Sequence, residues 1–101
     1  MKNLLLALTL LLPITVSAQT DSPKDVFCSQ IAEMANKIMT IRQGDGDLQK
    51  LLDIVKDDDM LTEMTLNAFS EPEYSSEEYI NNSIREFTNR YLLACYQMME
   101  K

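Results

Sequence analysis

A chain of 101 residues has room for a single domain. Its 16 acidic and 9 basic side chains give a net charge of −7, which argues against nucleic acid and anionic lipid as partners, since both call for a basic face. It contains no histidine, so the usual general base, the commonest metal ligand and every imidazole-based triad are missing.

The first element is an export signal. Met1-Lys2-Asn3 is a short basic start, Leu4 to Leu12 is an almost unbroken apolar run, and Pro13 precedes Ile14-Thr15-Val16-Ser17-Ala18. These are the three parts of a removable secretory signal, with cleavage expected before Gln19. The run is too short for a retained anchor, which needs about 20 apolar residues. No cysteine follows it at the lipoprotein position and there is no twin arginine. Residues 1–18 are therefore read as the signal and 19–101 as one domain, periplasmic or secreted, without stable insertion in a membrane. Losing Lys2 makes the remaining chain still more acidic.

Ser22-Pro23-Lys24-Asp25 opens the first helix, with Ser22 as N-cap, Pro23 at the first helical position and Asp25 near the positive end of the dipole. Phe27, Ile31, Met34, Ile38 and Ile41 recur at steps of four and three and are expected to face inward, flanked by Cys28. Gly44-Asp45-Gly46 ends that helix. Asp47 caps a short second helix with Leu48, Leu51, Leu52 and Val55 inward, which Asp57-Asp58-Asp59 breaks. Asp59 is expected to cap a third helix burying Leu61, Met64, Ala68 and Phe69.

Ser70 to Tyr74 is a connection, because Pro72 cannot continue a helix and disfavours a helical conformation in the residue before it. Ser75 with Glu78 fits a capping box for the last helix. Its inward stripe is expected to run Ile80, Ile84, Phe87, Tyr91, Cys95 and Met98. No alternating strand pattern competes, so the expected fold is an all-α bundle of four helices, two long and two short.

Cys28 and Cys95 are the only cysteines. In an oxidising compartment an isolated pair in a small domain reads as a disulfide, and nothing here resembles a redox Cys-x-x-Cys motif. Closing so long a loop is worth about 4 kcal/mol in the chain-entropy model, a useful gain where the core is small. It also requires the two long helices to run antiparallel if they pack lengthwise.

Several of these residues form an ordered frame. Cys28, Met39-Thr40-Ile41-Arg42-Gln43 before glycine, Ala68-Phe69, Pro72-Glu73-Tyr74-Ser75, Glu78, Ile84, Phe87, Tyr91 and Cys95-Tyr96 resemble a group of short exported bacterial and prophage-encoded two-cysteine proteins. The resemblance covers most of residues 19–101, and its more specific part is Ala68 to Tyr96. Glycine at both 44 and 46, and Glu73 within the Pro-x-Tyr turn, depart from the group's pattern. The resemblance implies compartment and fold and carries no catalytic residue.

Other chemistry is outweighed by simpler roles. The acidic stretch from Asp45 to Asp59 lacks the EF-hand glycine, because the sixth position is Lys50 counted from Asp45 and Asp58 counted from Asp53. Met34, Met39, Met60, Met64, Met98 and Met99 could capture Cu(I), yet methionine is an ordinary core filler and no histidine assists. Glu77, Glu78 and Glu86 could form a glycosidase pair, but helices carry such residues routinely and so small a domain has little room for a sugar cleft. Arg42 and Arg85 or Arg90 are expected to pair with neighbouring acids at helical spacing. Asn81-Asn82-Ser83 matches a glycosylation acceptor by chance.

The expectation is accordingly a non-enzymatic exported protein that binds another protein, with no cofactor, no metal and no catalytic residue. Tyr74, Tyr79 and Tyr96, beside acids, are the candidate contacts, since tyrosine is enriched at such surfaces. The alternative is an acid- or stress-responsive periplasmic holdase, loosened when the carboxylates are neutralised.

Overall fold

The computed structural model describes residues 22–100; the expected export signal lies outside the described residues. Four helices follow in order: α1 (Pro23–Gln43), α2 (Leu48–Val55), α3 (Asp59–Phe69) and α4 (Glu77–Met99), and the described residues include no strand. The long α1 and α4 pack most extensively, α3 packs on α1, and α2 packs on α3. The all-α architecture of two long and two short helices is the one expected.

Cys28, in the second turn of α1, is bonded to Cys95, near the end of α4, with Cα atoms 5.6 Å apart and 67 positions of chain between them. The opposite end of α1 meets the chain just before α4, so the two helices are antiparallel.

Side-chain caps start all four helices, each satisfying a backbone N–H that the helix cannot. Ser22 Oγ accepts from the Asp25 N–H at 3.2 Å, with Pro23 inside the first turn. Asp47 accepts from the Lys50 N–H at 3.2 Å. The other two starts are each one residue away from expectation. Asp58, not Asp59, caps α3 by accepting from the Leu61 N–H at 3.0 Å. Ser76, not Ser75, caps α4 by accepting from the Tyr79 N–H at 3.2 Å, which puts a tyrosine where the capping box needs Glu78. In both cases tandem residues of one type can serve, and the packing of the first turn selects one.

The end of α1 is a Schellman motif. The Gly46 N–H donates to the Ile41 carbonyl at 2.9 Å and the Asp45 N–H to the Arg42 carbonyl at 3.2 Å. The left-handed residue is Asp45, with φ 65°, whereas neither glycine has positive φ. Gly46 is needed for space, since a Cβ there would lie 2.7 Å from the Ile41 carbonyl oxygen.

The core centres on Cys28, Ala35, Met39, Met64, Ala68 and Phe87. On α1 the buried stripe is Cys28, Ile31, Ala35, Ile38, Met39 and Gln43; the expected Phe27, Met34 and Ile41 are exposed. The disulfide turns Cys28 itself inward, and small Ala35 lies on that same stripe. Met98, expected inside, is 74% exposed; it lies in the last turn of α4, beyond Tyr96, the last residue of that helix packed against the core.

Candidate interaction surface

The end of α1 grips the connection between α3 and α4. Arg42 donates to the Glu71 carbonyl from Nε at 3.1 Å and from Nη2 at 2.9 Å. Its guanidinium also lies 3.6 Å from the Glu73 carboxylate and over the Phe69 ring. Buried Gln43 donates from Nε2 to the Pro72 carbonyl at 2.8 Å and accepts the Tyr74 N–H at 2.9 Å. One side-chain amide thus closes on the backbone of Pro72 and Tyr74 as a neighbouring strand would, without any sheet. The expected helical-spacing pairs give way to this arrangement: Arg42 reaches Glu73, Arg90 pairs with Glu71 at 3.3 Å, and Arg85 donates to Asn82 at 2.7 Å.

Gln43 therefore fixes the backbone at Tyr74, and the Ser76 cap fixes it at Tyr79. The two rings meet edge to face, with centroids 5.9 Å apart and planes at 63°. Tyr79, Asn82, Ser83 and Glu86 fall at i, i+3, i+4 and i+7, one face of α4. With Tyr74 they line an open pocket of about 330 Å³. Tyr74 and Tyr79 are 36% and 58% exposed, and neither hydroxyl has a hydrogen-bond partner among the described residues.

The remaining candidate tyrosine stands apart. Tyr96 lies about 25 Å along α4 from Tyr79 at the helical rise of about 1.5 Å per residue, and its hydroxyl donates to Asp25 Oδ1 at 2.6 Å. That bond, aided by Ser22, holds the Asp25 carboxyl below its ordinary value of 3.8. Lys24 lies over the Tyr96 ring. Tyr91 is likewise engaged internally, accepting from Asn67 Nδ2 at 2.7 Å.

A second depression, of about 400 Å³, lies beside the disulfide and is lined by Phe27, Met60, Glu63, Tyr91, Met98 and Met99, among others. Phe27 and Met98, expected in the core from their spacing, instead line this apolar groove, which periodicity alone does not reveal. Glu77, Glu78 and Glu86 all face solvent. No group of three or more cysteines and carboxylates among the described residues could hold a metal. No helix among them is long and apolar enough to cross a membrane.

Among the described residues, fold and surface define a small disulfide-closed unit of four helices with a paired-tyrosine pocket at one end of the longest of them, α4. No protein-family model, curated protein or solved structure matches the chain.

Proposed function

We propose that the chain is an exported, non-enzymatic binding module that engages a protein partner through the Tyr74–Tyr79 pocket. The observation that carries this reading is the preparation of the pair: two exposed aromatic rings in contact, with both backbones pinned by side-chain hydrogen bonds from Gln43 and Ser76. Aromatic anchors held in place before contact lose little conformational freedom on binding, which is what makes them effective at interfaces. Export is supported by the Cys28–Cys95 bond, which belongs to an oxidising compartment, and by the pattern of residues 1–18.

The test is a photo-crosslinking residue at position 82, inside the pocket, compared with one at the exposed Gln49 of α2. Adducts formed in the native compartment from position 82 and lost in Tyr79→Ala support the reading. Absence of any pocket-specific adduct refutes it. Mass spectrometry of the same material should show Gln19 as the first residue.

The groove beside the disulfide favours a second reading, a holdase. Methionine-rich apolar surfaces adapt to varied clients. Aggregation of a client protein at pH 3 and pH 7 decides it, and absence of protection at both removes it.

A further inference from the structure

We propose that the Tyr74–Tyr79 pocket takes the cationic end of an arginine or lysine side chain presented by the partner. This rests on the reading of that pocket as the binding surface and names what it binds.

The protein's own rings supply the pattern. Phe69, Phe87 and Tyr96 each carry a cation of the same chain, with Arg42 at 5.3 Å, Arg90 at 5.5 Å and Lys24 at 5.8 Å from the ring centroids. Among the described residues Phe27 and Tyr91 carry none, and neither do Tyr74 and Tyr79. They are also the two tyrosines of the four whose hydroxyls are not committed internally.

The Glu86 carboxylate lines the same pocket and has no ion pair or hydrogen bond among the described residues. Aromatic faces with an uncommitted carboxylate are the two halves of a cation site: the ring quadrupole attracts the charge, and the carboxylate accepts its N–H groups. Glu77 and Glu78 add negative field in the same turns of α4, and the whole chain is acidic. The near cation, Arg85, donates to the lining residue Asn82 but does not itself line the pocket. A neutral apolar anchor would leave the carboxylate unmatched, and an acidic one would be repelled.

The experiment titrates the disulfide-intact exported protein with N-acetyl-arginine amide, N-acetyl-lysine amide and the neutral isostere N-acetyl-citrulline amide, reading the tyrosine ring resonances by NMR. The cationic probes are expected to shift the Tyr74 and Tyr79 rings saturably at millimolar concentration, and citrulline to bind about tenfold more weakly or not at all. Raising the salt concentration weakens the cationic probes. Glu86→Gln, an exposed change that leaves the fold intact, weakens them about fivefold, and Tyr79→Leu abolishes the shifts. Equal binding of citrulline, indifference to both substitutions, or no shift with any probe overturns the proposal. A pocket-specific crosslink that depends on Tyr79 but not on Glu86 would leave the binding surface standing and remove the cation. Probe binding without any crosslinked partner would do the reverse.

Discussion

Thr65 sits in the middle of α3 with 0% exposure, and its Oγ1 has no hydrogen-bond partner. Threonine in a helix usually escapes this by donating to the carbonyl one turn earlier. Thr40 and Thr88 do so here, to Asn36 and Ile84, each at 2.7 Å. Burying a hydroxyl without a partner costs about 1–3 kcal/mol in protein series. Valine has nearly the same shape and helix propensity and carries no hydroxyl.

Thr65→Val is therefore expected to stabilise the protein by about 1–2 kcal/mol, since the methyl also fills the vacated volume. For a domain of this size each kcal/mol moves Tm by about 4–8 °C, so a rise of about 4–16 °C is expected. Urea unfolding followed by circular dichroism should show a higher midpoint at unchanged slope. Thr65→Ser is the control: it keeps the hydroxyl, loses a buried methyl and should destabilise by about 1 kcal/mol. An unchanged or lower Tm for the valine variant would mean that the hydroxyl is satisfied, and the reasoning about its burial would fail.

Other outcomes follow from the same contacts. Gln43→Ala removes both bonds to the α3–α4 connection and leaves a small void, costing about 2–3 kcal/mol; hydrogen exchange should show loss of protection at the Tyr74 amide. Asp45→Gly relieves a left-handed residue and should stabilise by up to about 1 kcal/mol, while Gly46→Ala, forced against the Ile41 carbonyl, should lower Tm. Because the Asp25 carboxyl is held below its ordinary value by Tyr96 and Ser22, its contribution is present above about pH 4 and is lost as pH falls through the depressed value. Tyr96→Phe should therefore lower stability at neutral pH and narrow its gap from the parent protein in acid, as measured by thermal unfolding at pH 7 and pH 2.

How much of this was legible in the sequence varies by element. The four helices, their order and the disulfide follow from apolar spacing, turn residues and an isolated cysteine pair. The inward face of α1 does not, because Phe27, Met34 and Ile41 offer a rival stripe beside Ile31 and Ile38. Periodicity cannot separate two overlapping faces; the covalent bond at Cys28 selects between them. Nor could Asp58 be told from Asp59, or Ser76 from Ser75, since the hydrogen bond depends on where the first turn packs.

For the candidate surface, composition and position marked Tyr74 and Tyr79, and the fold joined them. Tyr96 belonged to the same compositional class yet serves the junction of α1 and α4. Gln43 carried no signal as a single polar residue before a glycine, and its role exists only once Pro72 and Tyr74 arrive from 29 and 31 positions away. Its place in the frame Met39 to Gln43, beside Pro72 to Ser75, was the one available clue.

The tie between Cys28 and Cys95 at one end of α1, with the grip of Arg42 and Gln43 at the other, means that the Gly44–Asp47 turn is not what keeps α1 in place. A protease that opened this turn would produce a two-piece protein rather than a broken one. The pieces would migrate as one species on a non-reducing gel and separate only after the sulfurs were reduced.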